Sequence, residues 1–442
     1  MKLTLSTIAN VTNGTLYGND GAVFELVTDS RKVTKGCLFA ALKGERVDGH
    51  DFIKNLDSTD GIAYLVSTKQ EGVNNPQIVV DNVLVAIGEI ARAHLDSLSA
   101  KKVAITGSVG KTTTKEFIKT VLETVTTVHY AKGNFNNELG LPLTALGVTP
   151  DDSVAVLEMG MRGLGQIDYL CNIAKPDVAV ITNIGISHIE LLGSRENILK
   201  AKLEIVDNLS DNGVAVLNGD DDMLVTAKTD KKTLWYGINN KDCDILAKDV
   251  VDNKYTLRVN GSEYPVTLGV LGVHNVYNSL AAIGVALSLG FDIKDVIKGV
   301  ESFTGDGSRQ SIYDFNGVTF FDDTYNASPD SMKASMSVFK DLKGQKVLVL
   351  ANMFELGELT KKAHIGLKDA VNATNPKCVI LIGEYMKYLY DVLDINNKYY
   401  CDSNEDALKI LKQTVTNGDA VLFKGSNGMK LANLVTEFKK EL

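Results

Sequence analysis

The sequence contains few cysteines and no long apolar run, and these two absences exclude several classes of protein. The five cysteines are scattered singly, and no two of them form a C-x-x-C pair. Neither a disulfide framework nor a zinc site is therefore indicated. No stretch approaches the roughly 18 uninterrupted apolar residues of a membrane span, and the first residues lack the apolar segment of a signal peptide. We expect a soluble, cytoplasmic protein without membrane insertion.

The chain also lacks an excess of positive charge. Its formal net charge is -9, which argues against a surface that coats nucleic acid, because polyphosphate backbones require clustered lysine and arginine. A single nucleotide requires only a local positive site and is not excluded. With 44% hydrophobic and 23% charged residues the composition is that of a globular protein. A length of 442 residues predicts two or three domains.

A glycine-rich stretch in the first half of the chain has the pattern of a phosphate-binding loop. An apolar run at residues 103–105 is typical of a buried strand, and a helix-compatible segment follows the loop. Glycines let backbone N–H groups turn toward an anion, the helix N-terminus adds its positive end, and a lysine adds a mobile charge. The residues assigned to this loop are Gly107, Ser108, Val109, Gly110, Lys111, Thr112 and Thr113.

This loop is shorter than the usual P-loop. Its pattern is G-x-x-G-K-T, and Ile105 stands where the longer motif has a glycine. A tight connection between a strand and a helix, without any ligand, is the alternative interpretation. The Lys-Thr pair after Gly110 favours phosphate binding, and the hydroxyl of Thr112 can hold Mg²⁺.

Three more apolar runs follow the loop and alternate with helical segments. They cover residues 154–158, 178–182 and 214–217, and polar residues stand at the end of each. This alternation predicts a parallel, doubly wound sheet whose site lies at the carboxyl ends of its strands. A β-rich insertion is expected at residues 233–267, before an Ala-rich helix.

Smaller α/β segments flank this central part. In the first, Arg31, Lys43 and Arg46 stand near glycines and hydroxyls and could grip a diphosphate, although such polar loops are most often simply solvated. The last segment begins near Gly317 and contains four apolar runs. No G-x-G-x-x-G follows any of these runs, so a dinucleotide site is not indicated.

Three further residues are candidates for the same site as the glycine-rich loop. Glu158 ends a predicted strand and could deliver a carboxylate to Mg²⁺, although strand-end acids are commonly surface residues. His188 follows the next strand and is either a packed imidazole or a metal ligand. Lys202 would ordinarily be a solvated helix residue, and its spacing alone indicates nothing more.

Six motifs, in order, closely resemble those of the Mur ligases of peptidoglycan synthesis. They are TGSVGKTTTKEF, GNFNNELGLP, LEMGM, TNIGISHIELLGSRENILKAKLE, GVHNVYNSLAA and DDTYNASPDSM. The resemblance covers nearly the whole chain and is greatest to the family member that adds D-alanyl-D-alanine to UDP-N-acetylmuramoyl-tripeptide. It implies an α/β fold with a small N-terminal UDP-binding domain (residues 1–81), a central P-loop-type ATPase domain with a parallel sheet (82–311) and a C-terminal Rossmann-like domain (312–442).

The resemblance implies ATP-driven formation of an amide bond through an acyl phosphate. By the family pattern, Lys111 and Thr112 hold phosphates and one Mg²⁺, and Glu158 joins two metal ions. His188 and Lys202 would serve the second metal, with Lys202 carbamylated, because a lysine ammonium would repel Mg²⁺. Lys111, Glu158, His188 and Lys202 are thus the expected catalytic residues, and Thr112, Glu158, His188 and Lys202 the expected metal ligands.

The same resemblance assigns the remaining contacts. Asn275 and Asn278 would line the adenine, Arg309 would contact the ATP phosphates, and Asp323 would bind the ribose. The expected partners are small molecules, and the protein is expected to be a monomer. Residues expected to bind the UDP-linked and amino substrates are Ser30, Arg31, Asp48, His50, Asn134, Asn137, Tyr325 and Asn326.

Two positions depart from the family pattern. Asn352 replaces an aspartate and Asn427 replaces an arginine, and we expect both to lie where the dipeptide amine docks. The family member that adds a diamino acid is a second possibility, but its Asp-Asn-Pro-Arg string is absent. Folylpolyglutamate synthetase shares the ATP core but lacks the UDP-type domain. A non-catalytic nucleotide switch or motor ATPase is the alternative from another class, and it would not need Lys202.

Overall fold

The computed structural model describes residues 1–305 and 309–442, and its first part is a small five-stranded sheet. Strands β5 and β6 of this sheet are buried along their whole length, as expected for a parallel sheet covered on both faces. The order is β2-β7-β6-β5-β4, with β2 antiparallel at one edge. The elements are β1 (Leu3–Thr4), α1 (Leu5–Val11), β2 (Thr15–Tyr17), β3 (Ala22–Val23), β4 (Glu25–Val27), β5 (Cys37–Ala40), α2 (Ile53–Leu56), β6 (Ala63–Val66) and β7 (Gln77–Val79).

The central part is a nine-stranded sheet with helices on its faces. Its first elements are α3 (Val83–Asp96), β8 (Lys101–Thr106), α4 (Lys111–Glu123), β9 (Val128–Tyr130), α5 (Gly140–Leu146), β10 (Val154–Glu158), α6 (Gln166–Ala174), β11 (Val178–Ile181), α7 (Ile189–Leu192) and α8 (Arg195–Asp207). They continue with β12 (Val214–Asn218), β13 (Lys232–Gly237), β14 (Ile245–Val251), β15 (Lys254–Val259), β16 (Ser262–Thr267), α9 (Val273–Ser288) and α10 (Ile293–Ser302).

The strand order of this sheet brings the candidate site together. The order is β16-β15-β14-β13-β12-β11-β8-β10-β9, with every pair from β9 to β14 parallel. Because β8 lies between β10 and β11, their carboxyl ends meet at one edge of the sheet, as the sequence predicts. The β-rich residues expected as an insertion extend this same sheet as β13 to β16.

The C-terminal part is a six-stranded sheet in the order β17-β18-β22-β19-β20-β21, parallel except for the edge strand β17. The α/β class expected from the sequence is confirmed. The elements are β17 (Ser311–Phe315), β18 (Val318–Asp323), α11 (Pro329–Phe339), β19 (Lys346–Ala351), α12 (Thr360–Ile365), α13 (Lys368–Ala373), β20 (Cys378–Ile382), α14 (Met386–Val392), β21 (Lys398–Cys401), α15 (Asn404–Thr414), β22 (Ala420–Lys424) and α16 (Leu431–Glu441).

The three parts are joined by apolar packing. One core contains Leu38 of the first sheet, Ile87 of α3 and Ala104 of β8, so the first sheet packs against the central one. Ile186, which follows β11, packs against the core of the C-terminal sheet. Within the two described ranges, no helix has the length and apolar content needed to cross a bilayer.

Helices α4 and α10 pack so closely that only glycine fits at one contact. A Cβ atom at Gly299 would lie 2.7 Å from the Cα atom of Val121. We expect Gly299→Ala to destabilise the protein by about 1–3 kcal/mol, because the two helices must separate. Gly21→Ala is the control, since no atom lies within 4 Å of its added Cβ. Calorimetric melting of both variants tests this, and equal melting temperatures would contradict it.

Candidate active site

The glycine-rich loop connects β8 to α4 at the centre of the sheet edge. Gly110 has φ 85°, a left-handed conformation that favours glycine, and α4 begins at the next residue. The amide of Asn183 clamps the loop, because it accepts from the Val109 N–H at 3.0 Å and donates to the Val109 carbonyl at 2.9 Å. The Lys111 ammonium donates to the Gly107 carbonyl at 2.7 Å. The loop is thus fixed with a helix N-terminus and a lysine beside it, which is an arrangement suited to phosphate.

A buried carboxylate lies next to this loop at the end of β10. Glu158 is 1% exposed, and its Oε2 atom accepts from the Thr112 hydroxyl at 2.8 Å. The other oxygen, Oε1, accepts from the Asn136 amide at 2.9 Å. The ammonium of Lys115 lies 3.5 Å from Oε2. The carboxylate therefore stands in one orientation, beside the hydroxyl that was expected to share a metal ion with it.

These oxygen donors fit Mg²⁺, which prefers one or two carboxylates together with phosphate oxygens and water. Within residues 1–305 and 309–442, no group of three His, Cys, Asp or Glu side chains is placed to hold a metal ion. The side chains would therefore supply only part of a coordination shell. Phosphate oxygens held by the loop are suited to supply the rest.

His188 and Lys202 lie near the same end of the sheet but differ in the charged groups close to them. His188 has φ 62°, and its Nδ1 atom lies 2.5 Å from Oε2 of Glu355 in the C-terminal part. Burial lowers the pKa of His188, and the nearby Glu355 carboxylate opposes that shift. Lys202 is 2% exposed, and burial, with the Lys111 ammonium as a second cause, holds the pKa of Lys202 well below its ordinary range.

Two asparagines of α9 stand against α4 behind the loop. The Asn278 side chain accepts from the Thr114 hydroxyl at 3.0 Å and donates to the Asn275 side chain at 3.1 Å. Asn275 in turn donates to the Leu271 carbonyl at 2.8 Å. Asn278 also lines the cleft, and a Cβ at Gly110 would lie 3.2 Å from its oxygen. The predicted adenine-contacting pair is therefore a single hydrogen-bonded unit.

The C-terminal sheet supplies the opposite wall of the cleft. Asp323 is buried, and its Oδ2 atom accepts from the Ser335 hydroxyl at 2.5 Å and from the Lys424 ammonium at 2.6 Å. The charge and hydrogen bond of Lys424 help to lower the pKa of Asp323, although burial opposes them. The Arg309 guanidinium lies over the Tyr325 ring, 4.1 Å from its centroid.

Between the two walls lies a cavity of about 1550 Å³. Most of the predicted site residues of the central and C-terminal parts line it, while Gly107, Thr112, Lys202 and Asn275 do not. At one end Asp330 approaches the loop that follows β11, because a Cβ at Gly185 would lie 2.9 Å from its carboxylate. The predicted residues that line the cavity are Ser108, Val109, Gly110, Lys111, Thr113, Asn134, Asn137, Glu158, His188, Asn278, Arg309, Asp323, Tyr325 and Asn326.

The predicted residues of the first sheet do not line this cavity. Arg31 forms an ion pair with Asp29 at 2.8 Å. The His50 Nδ1 atom lies 2.6 Å from the Asp48 carboxylate, and its Nε2 atom accepts from the Ser67 N–H at 3.1 Å. Ser30 begins the short 3-10 helix that Asp29 caps. Their contacts lie within the first sheet's own loops, and their expected role in binding the diphosphate stays a prediction.

The expectation that Asn352 lies in the acceptor site is wrong. The Asn352 side chain is buried and accepts from the backbone N–H groups of Tyr385 and Met386 at 3.0 and 3.1 Å, so it caps the start of α14. It does not line the cavity. Asn427 does line the cavity, and its amide donates to the Tyr325 carbonyl at 3.2 Å. Only the second departure from the family pattern therefore concerns the cleft.

Sequence reasoning missed three residues that hold the site together: Asn136, Lys115 and Asn183. Asn136 stands between two asparagines that were selected, and Lys115 follows Lys111 by one helical turn. Asn183 directly follows a predicted buried strand. The position after a strand was the one available signal for Asn183, because parallel strand ends converge.

The comparisons with known proteins agree with this geometry. Residues 24–101 match the family model described as Mur ligase family, catalytic domain; residues 105–286 match Mur ligase middle domain; and residues 309–427 match Mur ligase, glutamate ligase domain. The chain belongs to the Mur ligase family. The resemblance noted in the sequence is confirmed.

Similar Mur ligases span nearly the same length as this chain. UDP-N-acetylmuramoyl-tripeptide--D-alanyl-D-alanine ligase of Bacillus subtilis (strain 168) is 37% identical, with 99% of this chain and 98% of that protein covered. The enzyme of that name from Escherichia coli (strain K12) is 31% identical, with 98% of each covered. A crystal structure of MurF from Acinetobacter baumannii has a TM-score of 0.91 at 28% identity, covering 100% and 99% of the two chains. MurF of Thermotoga maritima, in complex with ADP, has a TM-score of 0.84 at 31% identity, covering 94% and 97%.

The different positions of Asn352 and Asn427 give a test within this Mur ligase. We expect Asn352→Ala to lower stability by about 1–3 kcal/mol, because two helix N–H groups lose their acceptor. Its KM values should stay within about twofold of the parent values, because the side chain lies outside the cleft. We expect Asn427→Ala to change stability by less than about 0.5 kcal/mol and to raise the KM of the amine substrate about fivefold.

Melting curves and initial-rate kinetics on both variants measure these differences. A selective rise in the amine KM for Asn352→Ala, with unchanged melting, would show that the assignment of this residue to helix capping is wrong.

Proposed function

We propose that this Mur ligase joins D-alanyl-D-alanine to UDP-N-acetylmuramoyl-tripeptide in an ATP-dependent reaction of peptidoglycan precursor synthesis. The observation that carries the proposal is the cleft, where the phosphate-binding loop and the buried Glu158 carboxylate face the polar wall of the C-terminal sheet. The full-length relatives of that name support the choice of substrates. The structural neighbour in complex with ADP supports ATP as the nucleotide.

The chemistry requires activation of a carboxylate, which is a poor electrophile by itself. One carboxylate oxygen of the tripeptide forms a bond to the γ-phosphorus of ATP as the bond to ADP breaks, which yields an acyl phosphate. The amine of the dipeptide then bonds to the acyl carbon, phosphate leaves, and the amine nitrogen loses a proton. The products are the amide, ADP and phosphate.

In this scheme Lys111 and the N-terminus of α4 hold the phosphate that is transferred. Burial lowers the pKa of Lys111, and the Glu158 carboxylate opposes that shift. Thr112 and Glu158 would hold Mg²⁺, which supplies neutralisation of the phosphate charge. The two facing walls enclose the reacting groups between them, and bound substrates that displace water from the cleft would protect an activated acyl group from hydrolysis.

The remaining residues are proposed to bind the rest of each substrate. Asn275 and Asn278 lie beside the loop, where the adenine would stand, and Arg309 and Asp323 lie across the cleft, where the phosphates and ribose would stand. The UDP part is assigned to Ser30, Arg31, Asp48 and His50, the muramoyl peptide to Asn134 and Asn137, and the amino substrate to Tyr325 and Asn326.

We place the domain limits at residues 1–81, 82–311 and 312–442, and each range holds one of the three main sheets except for Ser311, the first residue of β17. We also propose that the enzyme acts as a cytoplasmic monomer on soluble nucleotide-linked substrates. The net charge of -9 gives no support to a nucleic-acid partner.

We also propose that Lys202 is carbamylated and that this carbamate and His188 together bind a second metal ion. Its side chain is buried next to a second lysine, and among the described residues no carboxylate lies within ion-pair distance of it. Burial favours the neutral form of this amine by lowering its pKa, and the neutral form is the one that adds to CO₂. The nitrogen forms a bond to the carbon and loses a proton, which leaves an anion suited to a metal ion.

This assignment has a spectroscopic test in addition to activity. We expect the protein in ¹³C-bicarbonate to show a carbamate carbonyl resonance by NMR, and we expect Lys202→Met to lose both that resonance and about 100-fold in kcat. Lys200→Met, two residues away on the same helix, should keep both the resonance and the activity. An unchanged resonance in Lys202→Met would contradict the proposal.

The proposed reaction is tested by phosphate release with a panel of substrates. We expect release with UDP-N-acetylmuramoyl-tripeptide and D-Ala-D-Ala together, and no release when either is omitted, because the amine must attack the acyl phosphate. Lys111→Ala should abolish release, since the transferred phosphate loses its cation. Release only with a dipeptide precursor and a diamino acid would overturn the substrate choice, and release that ignores the amine would favour a nucleotide switch.

A further inference from the structure

Lys115 is a charged residue that the proposed reaction leaves without a role. Its side chain is 0% exposed, and it lies on α4 one turn after Lys111. An ammonium group without partners is very costly to bury, so its contacts must compensate. Those contacts show what the group is positioned to do.

The Lys115 ammonium touches two different parts of the site. It donates to the Gly133 carbonyl at 3.0 Å, in the loop that follows β9. It also lies 3.5 Å from the Glu158 carboxylate and 3.5 Å from the Glu116 carboxylate. One buried cation therefore connects a surface loop to the carboxylate beside the phosphate-binding loop.

A second contact joins the same two parts. We call residues 133–137 the asparagine loop, since it contains Asn134, Asn136 and Asn137. The Asn136 amide donates to Glu158 Oε1 at 2.9 Å, and its carbonyl accepts from the Gly160 N–H at 2.8 Å. All three asparagines line the cleft. The asparagine loop is thus held to Glu158 directly through Asn136 and indirectly through Lys115, and its asparagines face the substrate space.

We propose that Lys115 is a positioning residue that couples the asparagine loop to Glu158, so that the muramoyl peptide and the phosphate-transfer site are held in one fixed relation. The identity of that substrate rests on the proposed function. Lys115 contacts neither nucleotide nor acceptor in this scheme. It acts by fixing the carbonyl of Gly133, a residue with φ 58°, and by holding the orientation of Glu158.

A purely structural role for Lys115 makes a different prediction. If the ammonium only balanced the Glu158 and Glu116 carboxylates, its loss would lower the melting temperature and leave the asparagine loop unchanged. If it positions the loop, its loss frees the loop while the sheet remains folded. Hydrogen exchange separates the two roles, because it reports local opening independently of global unfolding.

The test compares Lys115→Met with Lys119→Met, one turn further along α4, where the ammonium pairs with Glu123 at 3.4 Å. In the substrate-free and metal-free protein, we expect the amides of residues 133–137 to exchange about tenfold faster in Lys115→Met. In kinetics we expect the KM of the muramoyl substrate to rise about tenfold, while the KM of ATP stays within about twofold. Lys119→Met should match the parent in both measurements.

Asn136→Ala gives an independent variant, since it cuts the second contact and keeps Lys115. It should show the same pattern of faster exchange and a selective rise in KM, and it serves as the test if Lys115→Met does not fold. Unchanged exchange of the loop, or an equal rise of both KM values, would overturn the coupling. If the parent enzyme does not use the proposed muramoyl substrate, the proposed function fails while the exchange measurement still decides the role of Lys115.

Discussion

The site depends on one constraint, which is that the Glu158 carboxylate must be buried and still be fully paired. Its place is set by the sheet, because β10 lies beside β8 in a register that puts Glu158 opposite Ile105, two residues before the phosphate-binding loop. Helix α4 then brings a hydroxyl and an ammonium to the same carboxylate, through Thr112 and Lys115. In a medium of low polarity, each of these groups is costly unless the others are present. The strand register, the start of α4 and the asparagine loop therefore depend on one another.

The cleft places the two halves of the proposed chemistry on different sheets. The central sheet fixes the phosphate-binding loop through Asn183, and the C-terminal sheet fixes Asp323 through Lys424. Where the walls approach, the Nδ1 atom of His188 meets the Glu355 carboxylate in a close contact that belongs to neither part alone. Since an acyl phosphate must meet an amine and not water, a cleft with walls from two sheets suits the proposed reaction better than a pocket within one sheet.

The sequence predicts what is local and misses what depends on opposing backbone groups. The loop, the strand ending at Glu158 and the parallel central sheet follow from glycine spacing and apolar runs, and the structure has all of them. Lys115 and Asn136 could not be identified in this way, because their partners are a backbone carbonyl and a carboxylate more than 15 residues away. Asn352 was misplaced for a related reason: its motif adjoins the cleft, but its side chain turns inward to two N–H groups of α14.

Residues of the same type have different roles here, depending on whether the side chain faces the cleft or is buried. Lys111 and Lys115 are one turn apart on the same helix, yet the first faces the cleft and the second is enclosed with its carboxylates. Asn427 and Asn352 divide in the same way between the cleft and a helix cap. Lys202 fits neither group, since it is buried beside another lysine and burial lowers its pKa. Among residues 1–305 and 309–442 no carboxylate forms an ion pair with Lys202, and an ammonium buried without such a partner is costly. Conversion of this amine to an anion would remove that cost, which is the physical argument for the carbamate that we propose.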